Sequence, residues 1–148
     1  MVKKRVLPNK VLLPEVERIL KAGSCVTLRT KGGSMLPFIH GGRDSIVLTG
    51  KFSPNIGDIV FARISDGYYV VHRIRKINGN IITLMGDGNL KGVEVCRMED
   101  LCGKVITIVR NGKHINPYAS SERWKAKVWH KLLPVRKYLL AVYRRLFL

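Results

Sequence analysis

Chemistry in this chain concentrates in Thr30-Lys-Gly-Gly-Ser-Met-Leu-Pro-Phe-Ile-His-Gly-Gly-Arg-Asp44. Ser34 follows two glycines at the end of a predicted strand. There the backbone can turn sharply, expose the hydroxyl and aim neighbouring N–H groups at a substrate carbonyl oxygen. Pro37, three residues on, fixes the chain after the turn. Gly-Gly-Ser alone is a common loop, so the serine needs a partner: its hydroxyl is almost wholly protonated at neutral pH, and a base must take the proton.

Four histidines are available: His40, His72, His114 and His130. His40 lies too close in sequence to be presented from another strand. His114 follows a predicted hairpin, and His130 falls in a basic tail. His72 lies inside Tyr68-Tyr-Val-Val-His-Arg-Ile-Arg75, a strand otherwise suited to a core. On it Tyr68, Val70, His72 and Ile74 share one face, and Tyr69, Val71, Arg73 and Arg75 the other. A lone histidine on a strand is more often a hydrogen-bonded core residue. The serine motif makes this one the candidate base.

The elements that must position the pair fall into three zones: 1–23, a short helical segment; 24–118, a β domain; and 119–148, a basic helical tail. Residues 11–22 form an amphipathic helix with Pro14 first, Glu15 and Glu17 in the first turn, and Val16, Ile19 and Leu20 on one face. Period-two runs come next, at Cys25–Thr30, Ser45–Leu48, Asp58–Ile64, Tyr68–Ile77, Ile81–Met85 and Gly103–Val109. Asn78-Gly79-Asn80 and Asn111-Gly112 are hairpin signals. The fold class is therefore mostly β and antiparallel. No glycine-rich strand-to-helix phosphate loop is present.

At 148 residues, 46% of them hydrophobic, the chain can bury a core without disulfide or metal. Cys25, Cys96 and Cys102 cannot all pair, and no Cys-x-x-Cys or His-x3-His spacing suggests zinc. A reducing, cytoplasmic setting is expected, with the thiols as small core residues. No secretory leader is expected, since Pro8, Asn9 and Lys10 interrupt the stretch after Met1-Val-Lys-Lys-Arg5. No apolar stretch approaches the roughly 20 residues of a spanning helix.

Five short segments then carry a resemblance. Gly33-Ser-Met-Leu-Pro37, Gly57-Asp-Ile-Val60, Val70-Val-His-Arg-Ile74, Gly86-Asp-Gly-Asn89 and Gly103-Lys-Val105 stand in the order found in signal peptidases and LexA-type self-cleaving proteins. The chain resembles the S24/S26 serine-peptidase superfamily over about residues 24–110, and its His72-Arg73 resembles the Ser/His branch. The resemblance implies a LexA/signal-peptidase-like β fold and a serine endopeptidase acting on a polypeptide, with no cofactor. It gives Ser34 the role of nucleophile and His72 that of base. Gly33 would lie in the oxyanion turn, Met35 and Pro37 would shape the site, and the flanking strands would hold an extended peptide. Asp87 would orient His72 or hold the loop. Where ER-type enzymes place an acidic pair, this chain reads Leu90-Lys-Gly-Val-Glu94, so the orienting acid stays open among Asp87, Glu94 and none. That departure opens an alternative, a catalytically impaired peptide- or membrane-binding module on the same fold.

The tail adds a partner. Trp124, Val128, Leu132, Val135, Leu139, Val142 and Leu146 fall within an arc of about 80° on a helix. Arg123, Lys127, Lys131, Lys137, Arg144 and Arg145 lie away from it, Lys125 and Arg136 crowd its edge, and Pro134 must kink or split the helix. The stripe suits either docking on the β domain or an anionic membrane surface, which would make the protein peripheral on the inner membrane leaflet. The balance of 27 Lys+Arg against 10 Asp+Glu, a formal +17, favours an anionic partner. Nucleic acid is disfavoured for want of a recognised motif. Oligomeric state is left open.

Overall fold

The computed structural model describes residues 9–148; the Met1–Arg5 run and the start of the expected N-terminal segment lie outside them. In chain order the elements are α1 (Asn9–Lys21), β1 (Cys25–Arg29), β2 (Asp44–Thr49), β3 (Ile59–Ser65), β4 (Tyr68–Asn78), β5 (Ile81–Met85), β6 (Glu94–Arg97), β7 (Leu101–Arg110) and β8 (Lys113–Ile115). After them come α2 (Ser120–Lys131) and α3 (Arg136–Phe147), joined through a single 3-10 turn at Leu133–Val135. The strands form one antiparallel sheet ordered β1-β2-β7-β3-β4-β5-β6, with β8 paired to the far end of β7. Six strands match the period-two runs. The short β6 and β8 have no counterpart among them, and α1 begins before Pro14 rather than at it.

Both faces of the central strands are covered, so two cores form. Val16 and Leu20 of α1 pack with Ile46, Leu48, Ile59, Phe61, Val105 and Ile108, and with Met35 and Ile39 from the β1–β2 connection. On the other face Val60, Ala62, Val70, Ile74, Ile82, Leu84 and Cys96 pack together. The two faces of β4 divide accordingly: Val70 and Ile74 enter the second core while Tyr69 and Val71 lean on the first. Burying a side chain such as Leu20 contributes on the order of 2 kcal/mol, and this anchors α1 across β7 and β1. Burial pushes the Cys96 thiol up to about 11 and that of Cys102 up to about 12, so both stay protonated core residues. Cys25 departs from that expectation: it heads the edge strand β1 and is exposed.

The tail turns an unexpected face inward. Pro134 splits it, and Trp129, Arg136 and Leu140 are the buried residues, with Trp129 and Leu140 packed on Leu36. Helix α2 starts at Ser120 with Ala119 as its cap, so neither Ser120 nor Ser121 caps it through a side chain. The expected stripe instead lies on a flank: Trp124, Val135, Leu139, Val142 and Leu146 are exposed.

Candidate active site

The chain between β1 and β2 is closed by the first residue of β2. Asp44 is fully buried, and its carboxylate accepts the His40 N–H (2.8 Å), Arg43 Nε (2.8 Å) and Arg110 Nε (3.2 Å). Burial by itself would raise its pKa, but the two guanidinium groups and the His40 N–H outweigh it and hold the carboxyl below the usual carboxylate range. Inside this loop a helical turn runs from Gly33, with Leu36 N–H donating to Gly33 O (3.2 Å) and Ile39 N–H to Met35 O (2.9 Å). Ser34 stands at the head of the turn, half-buried, with Met35 and Leu36 buried beneath it. Among the described residues, the N–H groups of Gly33 and Ser34 donate to no protein acceptor, so both are free to meet an oxyanion.

The loop after β5 lies against this turn, backbone on backbone. Gly88 N–H donates to Ser34 O (2.8 Å). A Cβ on Gly88 would sit 2.2 Å from Gly33 O, and one on Gly86 would sit 2.4 Å from Ser34 O. Only glycine permits that approach, which explains the Gly-Asp-Gly order. The same vacant Cβ position of Gly86 lies 3.0 Å from His72 Nε2. His72 Nε2 therefore lies close to the backbone of the serine turn. Ser34 and His72 also line one cleft of about 1070 Å³.

The other imidazole nitrogen, Nδ1, meets Glu94 Oε1 in a short contact. Glu94 opens β6 and pairs with Leu84 across β5, and Leu84 pairs with Ile74 of β4. The carboxylate thus reaches His72 along one face of three strands. Asp87 goes elsewhere. It is 1% exposed and takes Arg73 through both carboxylate oxygens, Nε at 2.9 Å and Nη2 at 2.7 Å, with Arg75 Nη2 at 3.6 Å. Burial would lower the Arg73 pKa, yet the Asp87 charge and its hydrogen bonds outweigh it and raise it. Asp87 is thus paired with Arg73 and Arg75 and not with His72, and the carboxylate that contacts His72 is that of Glu94. The remaining sequence-derived positions fall around the turn. Met35 Sδ accepts the Asp87 N–H at 3.4 Å, and Pro37 faces away from the cleft toward Phe38 and α2.

Two residues of the tail support these loops, and the sequence did not connect them with the site. Trp129 Nε1 donates to Asp87 O (2.7 Å). Arg136, wholly buried, donates to Asn89 O (2.9 Å) and Trp129 O (3.3 Å), with its guanidinium 5.1 Å from the Trp129 ring centre. Burial depresses its pKa, and the nearby Asp87 charge opposes this only in part. Together they lock the Gly86–Asn89 loop from behind while Leu140 and Leu36 pack the serine turn. Among the described residues no cluster of three or more His, Cys, Asp or Glu could hold a metal ion, and no helix is long and apolar enough to cross a membrane.

No curated protein matches the chain. A family model described as Peptidase S24-like matches residues 6–106, which takes in the serine turn, β4 with His72, the Gly86–Asn89 loop and β6. With that span covering well over half of its length, the chain belongs to the Peptidase S24-like family.

Proposed function

We propose that the protein is a serine endopeptidase in which Ser34 is the nucleophile, His72 the general base and Glu94 the residue that orients it. One observation carries this: the His72 ring is held at Nδ1 by Glu94 while Nε2 lies near the backbone of the turn that bears Ser34, and both residues line one cleft. An acid on Nδ1 fixes the tautomer with a lone pair on Nε2 and stabilises the imidazolium formed when that nitrogen takes a proton. Ser34 Oγ attacks the scissile carbonyl carbon as its proton passes to Nε2. The oxyanion meets the N–H groups of Gly33 and Ser34. Collapse breaks the C–N bond, and Nε2 returns the proton to the leaving amine. Water, deprotonated by the same nitrogen, then releases the acyl group from Ser34.

The substrate is an extended polypeptide. Among the described residues β1 is an edge strand with one side unpaired, and the cleft beside it is walled by Leu12, Val16, Val26, Leu28 and Val70. An added strand gains main-chain hydrogen bonds from the edge and apolar contacts from the walls. The binding-module alternative drew its support from a missing acid, and Glu94 removes that support.

A fluorophosphonate probe tests the assignment. The wild-type protein should label at Ser34, Ser34→Ala should lose the label, and His72→Ala should slow labelling about 100-fold or more. Labelling of Ser34→Ala at the wild-type level would reject the nucleophile.

A further inference from the structure

The tail has a second face that the β domain leaves uncovered. Its inward side is already complete: Trp129, Arg136 and Leu140 are buried against Leu36 and the Gly86–Asn89 loop. Around the flank of α3 and its entry turn run Val135, Leu139, Val142 and Leu146, with Tyr138 beside them. All are exposed, Val142 at 57% and Leu146 at 69%. Counted at about 100° per residue, the stripe is centred about 90–110° from the buried face. It is therefore not a core face that happens to be loosely packed.

Charge decides what this flank can meet. From Arg123 to Leu148 the chain has eight Lys and Arg residues and no Asp or Glu. Only Arg136 of these is buried; Lys131 and Arg145 border the apolar stripe, Lys137 and Arg144 are exposed on the opposite side of α3, and Arg123, Lys125 and Lys127 are exposed on α2. A second copy would bring an equally acid-free tail and a formal +17 against the first, so self-association through this flank is opposed by repulsion. Nucleic acid would satisfy the cations but leave the apolar stripe in water. An anionic bilayer takes both, with aliphatic side chains at the acyl boundary, Tyr138 at headgroup depth and bases on the lipid phosphates.

We propose that the exposed flank of α3, Val135–Leu139–Val142–Leu146 with its bordering cations, is a docking face for an anionic lipid bilayer. The face belongs to the same helix whose inner side supports the serine turn: Leu140 packs on Leu36, and Arg144 Nη2 lies 3.5 Å from the Cβ position of Gly33. Docking would hold the cleft close to the lipid surface without a spanning segment. The proposal stands apart from the peptidase assignment, since binding needs no intact Ser34.

The test uses the full chain and sedimentation with vesicles of phosphatidylcholine alone or mixed with phosphatidylglycerol. Binding is expected only to the mixed vesicles, weakening with salt. Val142→Glu combined with Leu146→Glu should lower the affinity by about tenfold or more. Lys91→Gln with Lys113→Gln changes net charge equally at exposed positions outside the tail, and should lower it by less than about threefold. A melting temperature unchanged in both pairs establishes that they fold. Failure to bind mixed vesicles would overturn the proposal, as would equal loss in the two pairs, which marks diffuse charge attraction. A wild-type dimer that the glutamate pair dissociates would also overturn it, by giving the flank to a second copy.

Discussion

Two acids lie within reach of β4, and the fold treats them oppositely. Asp87 is sealed between Arg73 and Arg75, with both oxygens used on one guanidinium. Glu94 keeps part of its surface in solvent and meets a single imidazole nitrogen. A carboxylate whose charge is already matched by a buried arginine has little left to stabilise a cation that forms transiently. One that contacts an imidazole and no fixed cation can stabilise the charge that forms when the ring takes a proton. The role of an acid is thus set by what neutralises it at rest.

The largest effect should come from breaking the sealed pair. Asp87→Asn leaves Arg73 buried without its counter-charge, a change that costs about 3–5 kcal/mol. In urea titration Asp87→Asn should lose most of that, while Glu94→Gln should change stability by less than about 1 kcal/mol. The opposite order would exchange the roles of the two acids.

The difference between the acids was only half visible in the sequence. Ser34 and His72 are legible only as a pair: glycines before a turn expose a serine that needs a base, and His72 is the histidine carried by an otherwise core-like strand. Asp87 is legible as part of a loop but not in its role, since Arg73 and Arg75 look like the outward residues of a half-exposed strand. Glu94 stands among the candidate acids but cannot be chosen from the sequence, for a different reason. β6 is four residues long and turns Val95 to solvent and Cys96 inward, so no apolar alternation announces it. In the tail, hydrophobicity picks out a real stripe, but the inward face is chosen by hydrogen bonding. Arg136 shares a face with Trp129 seven residues earlier and Leu140 four later, and that spacing was the available signal.

Next in size is the catalytic side of the comparison. Glu94→Gln should lower kcat by about 10²–10³ in cleavage of a peptide substrate, with KM within about threefold, because the lost interaction matters most when His72 is protonated. Glu94→Asp should recover part of the rate if its shorter carboxylate still reaches Nδ1. An unchanged kcat in Glu94→Gln would remove the acid from the mechanism.

A smaller effect is expected where the tail supports the loop that carries Asp87. Arg136→Met keeps the volume and removes a buried charge that has no carboxylate of its own, which by itself is near neutral. It also leaves Asn89 O without the Arg136 donor, while Trp129 O keeps the Leu132 N–H, at a cost of about 1–2 kcal/mol in all. Stability should fall by that amount, and kcat should fall more than KM rises, because the loop meets the serine turn through Gly88. Equal catalysis in variant and wild type would confine Arg136 to packing the tail.

The smallest effect separates a third acid from the other two by its pH dependence. Asp44 holds the serine loop shut, and Arg43, Arg110 and the His40 N–H keep its folded pKa below its unfolded value despite complete burial. The folded state therefore binds fewer protons than the unfolded chain in this range. The stabilisation is full above the unfolded carboxyl value of about 4, and is lost as pH falls through the lower folded value. Thermal melts from pH 6 to pH 2 should show the melting temperature declining below about pH 4 in the wild type. Asp44→Asn should start lower at pH 6 and decline less steeply. Glu17, held low by Tyr69, Lys21 and Arg63 against its own burial, supplies part of the slope that remains. Parallel curves for wild type and Asp44→Asn would mean that the loop is held by its backbone hydrogen bonds and not by the charge at its end.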